Sequence, residues 1–157
     1  AKWADLVLVS TPDLLAYLDV PVFYLPNPID ETLFTPSTWR ARGTVWPVCY
    51  ERHIPFKPIV QTRFSDVIFW TRWENPLPYW MMPGFLSQFE MEISWKPEVD
   101  YETSVNQTVF TLTDLEMLAL GRRVYYWPTS SIIKGFPPEH KTEQVAGRLR
   151  ILYGDIA

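Results

Sequence analysis

The run from Thr111 to Trp127, Thr-Leu-Thr-Asp-Leu-Glu-Met-Leu-Ala-Leu-Gly-Arg-Arg-Val-Tyr-Tyr-Trp, restricts the fold more than any other stretch. Hydroxyl residues stand where a helix can begin, strong helix formers follow, and Gly121 is the residue type best suited to a left-handed closing position. The apolar segment Arg123 to Trp127 comes directly after, so a helix must hand over to a buried strand within two residues. The same alternation recurs near the start. Asp5 to Ser10 predicts a short strand, Ser10-Thr-Pro-Asp13 a capped helix start running through Tyr17, and Pro21 to Leu25 a second strand. Alternating strands and helices predict an α/β layer fold whose ligands bind outside the carboxyl ends of the strands.

Between these runs the expectations vary in kind. Pro26-Asn-Pro-Ile-Asp30 reads as a rigid exit loop, because two prolines deny the donors a ladder or helix needs. From Thr35 to Ser65 no sustained period survives, which predicts irregular structure with one short strand or helix. Asp66 to Thr71 predicts a strand, Pro76 to Pro83 a turn-rich loop, and about Gly84 to Phe89 a helix. Glu90 to Trp95 alternates polar and apolar residues, as a strand with one covered face does, and Lys96 to Gln107 reads as a polar loop. After a proline-containing loop, Glu139 to Tyr153 predicts a long helix with Val145, Leu149 and Leu152 on one face.

Composition excludes several functions. A length of 157 residues suits one ordinary domain, and a net charge of −4 argues against a duplex nucleic-acid binder, which needs clustered Lys and Arg. Small molecules or proteins are the expected partners. One cysteine, Cys49, excludes an internal disulfide and a cysteine-based zinc site, and a cytoplasmic location is the expectation. No apolar run is long enough to cross a bilayer, so no transmembrane segment is expected. The opening Lys2-Trp-Ala-Asp-Leu reads as the approach to a strand, which suggests a piece of a longer protein. The Asn106-Gln-Thr108 triplet matches a glycosylation sequon, a pattern common by chance. No two of the six glycines lie closer than seven residues apart, so neither a dinucleotide fingerprint nor a P-loop is present.

The start of the predicted Thr111 helix has the residues of a phosphate and ribose site. Its exposed amides and partial positive charge suit a diphosphate, with Thr111 and Thr113 assisting, and Glu116, one turn in, suits sugar hydroxyls. Ordinary N-capping by Thr111 and Thr113 is compatible with that role, and Glu116 before Gly121 is also what a solvated helix carboxylate looks like.

Three segments, in order, carry a resemblance. Ala4 to Leu15 followed by Val22-Phe-Tyr-Leu-Pro-Asn-Pro-Ile-Asp30 and Phe34 resembles the end of the first domain of GT-B glycosyltransferases, with its "VIPNGID…F" run. Pro78-Tyr-Trp-Met-Met-Pro-Gly-Phe-Leu-Ser-Gln-Phe89 resembles the "mp-x-x-L" helix of their donor domain, and Leu115 to Val124 their "LEALALGxxV" element. The resemblance, of the retaining, glycogen-synthase-like type, implies a Rossmann-like three-layer sandwich with a mostly parallel sheet, one half of a GT-B enzyme. Residues 1–36 would be the end of the first domain and the linker, and residues 37–157 a compact or truncated donor-binding domain.

The implied activity is transfer of a sugar from a nucleotide-diphosphate sugar to an acceptor, without a metal or other cofactor. Glu116 would bind the donor ribose, Thr111 and Thr113 would face the diphosphate, and the loop from Leu77 to Met82, with Tyr79, would lie beside the base. The sequence departs from the family at Thr108, which stands eight residues before Glu116 where many retaining members carry another glutamate. It also lacks a clear match to the early Arg and Lys pair; Lys57, Arg63 and Arg72 are candidates by location, and the catalytic residues are not identified. Such a half-enzyme would need a missing N-terminal domain or a protein partner for a complete cleft, and the sequence leaves open whether it acts alone. The competing expectation is a non-catalytic sugar- or protein-binding module on a degenerate scaffold, using exposed aromatics.

The remaining groups suggest packing. Phe69, Trp70, Trp73, Tyr79, Trp80, Phe85, Phe89 and Trp95 read mainly as core, although eight tryptophans exceed what one small core uses and leave some for a surface. His53 and His140 lie far apart and lack ligand spacing, so a metal site is not expected. Cys49 has no mark of a reactive thiolate. Glu90 and Glu92 read as a solvated strand edge.

Overall fold

The computed structural model describes residues 6–10, 15, 19–38, 40–48, 51–71, 73–95, 110–127 and 130–156. Strands β1 (Val7–Val9) and β2 (Val22–Tyr24) pair in parallel, Val7 opposite Val22, where the two apolar runs predict them. The helix expected between them falls mostly outside the described residues, as do the 96–107 loop, the sequon, Cys49 and Arg72.

Among the described residues a second sheet holds five strands in the order β4-β3-β5-β6-β7. They are β3 (Thr44–Pro47), β4 (Val67–Trp70), β5 (Met91–Trp95), β6 (Arg123–Trp127) and β7 (Ser131–Ile133). The first four run parallel and β7 closes the edge antiparallel to β6. Helices α1 (Lys57–Arg63), α2 (Met82–Leu86) and α3 (Leu112–Ala119) make the crossovers, and α4 (Thr142–Ile156) follows β7.

The chain steps from β3 outward to β4, then back past β3 to β5 and on to β6. Right-handed crossovers therefore require α1 on one face and α2 and α3 on the other. The cores obey this: Trp46, Val48, Val60 and Ile93 cluster with α1, whereas Val45, Trp70, Leu86, Leu115 and Val124 cluster with α2 and α3. The result is an α/β fold with a mostly parallel sheet covered on both faces, compatible with a Rossmann-like arrangement.

Several expectations need correction. The stretch from Thr35 to Ser65 is ordered by its neighbours: it holds β3, a 3-10 helix over Glu51–Phe56, and α1. Strand β5 is covered on both faces, because α3 lies over the side that alternation assigned to solvent; Glu92, Ile93 and Ser94 are all buried. Glu92 is accordingly no edge residue, and only Glu90, ahead of the strand, stays exposed in an ion pair with Arg123. The helix expected over Gly84 to Phe89 begins earlier, with a 3-10 turn over Tyr79–Met81 and Pro83 in the first turn of α2, where a missing N–H costs nothing. The last helix begins at Thr142, after a 3-10 turn over Pro138–His140.

The linker between the two sheets is fixed at both ends. Asp30 Oδ1 accepts from Thr32 N–H (2.9 Å), Leu33 N–H (3.2 Å) and the Thr32 hydroxyl (2.6 Å), which turns Phe34 into the core of the larger sheet. Ile29 forms a bridge to Lys141, the Thr142 hydroxyl donates to Ile29 C=O at 2.9 Å, and His140 Nδ1 lies 2.9 Å from Asn27 O. The Arg148 guanidinium lies over the Tyr24 ring at 5.3 Å, so the last helix is held against β2. Among the described residues no helix is long and apolar enough to cross a membrane.

Candidate functional site

The reversal of strand order places a crevice between β3 and β5 at their carboxyl ends, the usual ligand position in such sheets. Pro47 widens it. Val48 N–H donates to Trp70 C=O at 2.8 Å, so residues of its parity bond toward β4, and Pro47, one earlier, faces β5 with no N–H to give. The β3–β5 register covers Thr44 opposite Met91 and Val45 opposite Glu92, and stops before Pro47.

A cavity of about 220 Å³ lies beside this crevice, at the carboxyl ends of β3 and β4 against the start of α3, lined by Pro47, Val48, Trp70, Trp73, Thr111, Leu112 and Thr113. Its aromatic wall is held by the loop after β4. The Trp70 indole N–H donates to Asn75 C=O (3.1 Å), Asn75 N–H to Thr71 C=O (3.0 Å), and the Thr71 hydroxyl to Glu74 Oε2 (2.6 Å). This tight loop leaves Trp73 at the mouth, 42% exposed, while Trp70 is buried.

The opposite wall is the first turn of α3. Thr111 is the N-cap in a reciprocal capping box: Asp114 N–H donates to Thr111 Oγ1 (3.2 Å) and Thr111 N–H to Asp114 Oδ2 (2.8 Å). The Ser94 hydroxyl also donates to Asp114 Oδ2, at 3.2 Å, tying the end of β5 to the cap. Asp114 is fully buried, and Glu92 and Glu116 lie in the same β5–α3 layer at 2% and 1% exposure. Burial, with the charges of Asp114 and Glu92, pushes the phenol of Tyr126 on β6 well above its usual range. At the other end Gly121 closes α3 with φ +74°, as the sequence predicts.

Thr111 and Thr113 thus both reach the cavity. Glu116 does not line it, since its side chain lies beneath the helix in the core. Tyr79 lies outside the lining, 47% exposed, with its ring 5.4 Å from that of Phe34. Thr108 falls outside the described residues. Lys57 and Arg63 occupy the α1 face: Lys57 Nζ lies 5.3 Å over Phe69, and Arg63 donates to Tyr125 OH (3.0 Å) and Ser130 Oγ (3.2 Å) over the Trp127 ring.

Sequence reasoning missed Asp114, Pro47 and Trp73. The Thr-x-x-Asp spacing before an apolar run was signal enough for Asp114 as a capping partner. A proline set inside the apolar stretch from Val45 to Tyr50 hinted at Pro47; Trp73 had no local mark, because its place depends on long-range folding. The sequence matches no protein-family model and no curated protein.

Proposed function

We propose that this chain is the donor-binding half of a GT-B-like glycosyltransferase, with part of a nucleotide sugar held in the cavity between β3, β4 and α3. The observation that carries the reading is the place of that cavity: it opens at the carboxyl ends of β3 and β4, beside the strand-order reversal, against Thr111, the N-cap of α3, and Thr113 in its first turn. Trp73 at the mouth offers a ring face, and the two threonines offer the polar groups that orient a ligand. The acceptor and the remainder of the cleft belong to another domain or partner on this reading, so the chain alone binds donor without transferring it. Glu116, below the helix, acts here through the fold and not by touching ribose.

A second reading has its own observation. Tyr79, Trp80 and Met81 form an exposed turn, with Trp80 72% accessible, which suits a non-catalytic module that grips sugar or protein. Calorimetric titration with UDP, GDP and their sugar conjugates separates the two. The donor reading expects saturable binding that Trp73→Ala weakens and Trp80→Ala leaves unchanged. Absence of binding at millimolar ligand, or dependence on Trp80 alone, removes it.

A further inference from the structure

The α3 wall of the cavity is already charge-balanced. Asp114, in the first turn of the helix, offsets its positive end and takes the Thr111 N–H, a donor an incoming phosphate would otherwise use. Its carboxylate is fully excluded from solvent, where like charge repels strongly. Glu92 and Glu116, buried in the same layer, add no compensating positive charge. Among the described lining residues none is basic. What remains of the lining is two indoles, aliphatic side chains and two threonine hydroxyls. The volume, about 220 Å³, lies below the roughly 300 Å³ at which sites for whole drug-sized ligands begin.

We infer that the cavity is a ring-binding subsite that discriminates against anions. It takes an uncharged ring of the donor, nucleobase or sugar, against Trp73, leaves the diphosphate outside, and owes this preference to Asp114. The inference rests on the donor reading above and names which part of the donor the cavity holds.

The test uses the full 157-residue chain with uridine, guanosine, methyl glucoside, UDP, GDP and inorganic pyrophosphate, read by calorimetry and tryptophan fluorescence. A nucleoside or the glycoside is expected to bind within about threefold of the matching diphosphate, and pyrophosphate not at all. Which neutral ligand binds says whether base or sugar is held. Raising the salt is expected not to lower the affinity for UDP or GDP, because none of the described lining residues is a cation that salt would screen from the phosphates. Asp114→Asn is expected to strengthen diphosphate binding about tenfold while leaving nucleoside binding as it was. A wild-type preference for diphosphate over nucleoside of about tenfold or more, or binding of pyrophosphate, overturns the inference and leaves the donor reading standing. Binding of none of the six overturns both. The wild-type ratios decide the matter even where Asp114→Asn fails to fold.

Discussion

Thr111 and Asp114 do two things with one arrangement. Their reciprocal hydrogen bonds satisfy amides that a helix start leaves open, and they fix Thr111 at the polar edge of the cavity, with Asp114 buried behind it. The stability part is separable. Thr111→Ala removes the cap acceptor and is expected to cost about 1 kcal/mol, a fall in Tm of about 2–4 °C for a chain of this size. Thr111→Ser keeps the oxygen and is expected to fall within about 0.5 kcal/mol of wild type, both read from urea denaturation. Tyr126 makes a prediction of opposite pH sign to the usual acid limb. Its folded pKa is raised above the unfolded value near 10, so its contribution is intact below about pH 10 and is lost as pH rises beyond that. Tyr126→Phe is expected to flatten the alkaline fall of Tm, and ultraviolet titration of the native protein should show a late-ionising tyrosine that the variant lacks. An unchanged alkaline limb in the variant would contradict the buried, acid-flanked placement of this phenol.

At the scale of elements, Pro47 is the decisive residue of β3. A donor-less position on the β5 side removes one bond from that pairing, whose register covers Thr44 and Val45, and Pro47 itself lines the cavity at the carboxyl end of the sheet. Pro47→Val restores the N–H, and is expected to add about 0.5–1 kcal/mol through a longer ladder while narrowing the cavity and weakening ligand binding. Loss of stability together with retained binding would count against this account. The same element explains what sequence reading reaches. β1, β2, β4, β6 and α3 carry their own signals: apolar runs, a threonine cap and Gly121, all local along the chain. β3 carries almost none, being four residues closed by a proline, and its hydrogen bonds come from strands more than 20 residues away in sequence. Glu92 misleads for a related reason. Polar alternation points to solvent only while nothing covers the second face, and α3 covers it. Of the site, the cap residue Thr111 and its neighbour Thr113 were legible and the aromatic wall was not, because a tight loop places Trp73 there.

For the whole molecule, the question is whether the small sheet and the large one fold as one unit. The sequence boundary at residue 36 suggests two parts, yet Ile29 and Phe34, each 1% exposed, belong to the same core as α2, α3 and β6. From the other side, Lys141, Thr142 and Arg148 bind the 24–29 segment after the chain has completed the large sheet. A linker fixed by its core side chains and clasped by the last helix couples the two sheets, so neither loses structure without exposing apolar surface of the other. Phe34→Ala is expected to cost about 3–5 kcal/mol, because a large ring leaves a cavity that the surrounding sheet and helices cannot fill. The transition should remain single, with far-ultraviolet circular dichroism and tryptophan fluorescence giving coincident curves in both wild type and variant. Two separated transitions in the wild type would mean that the linker contacts carry little energy, and that the 29–34 segment docks on the large sheet after each part has already folded.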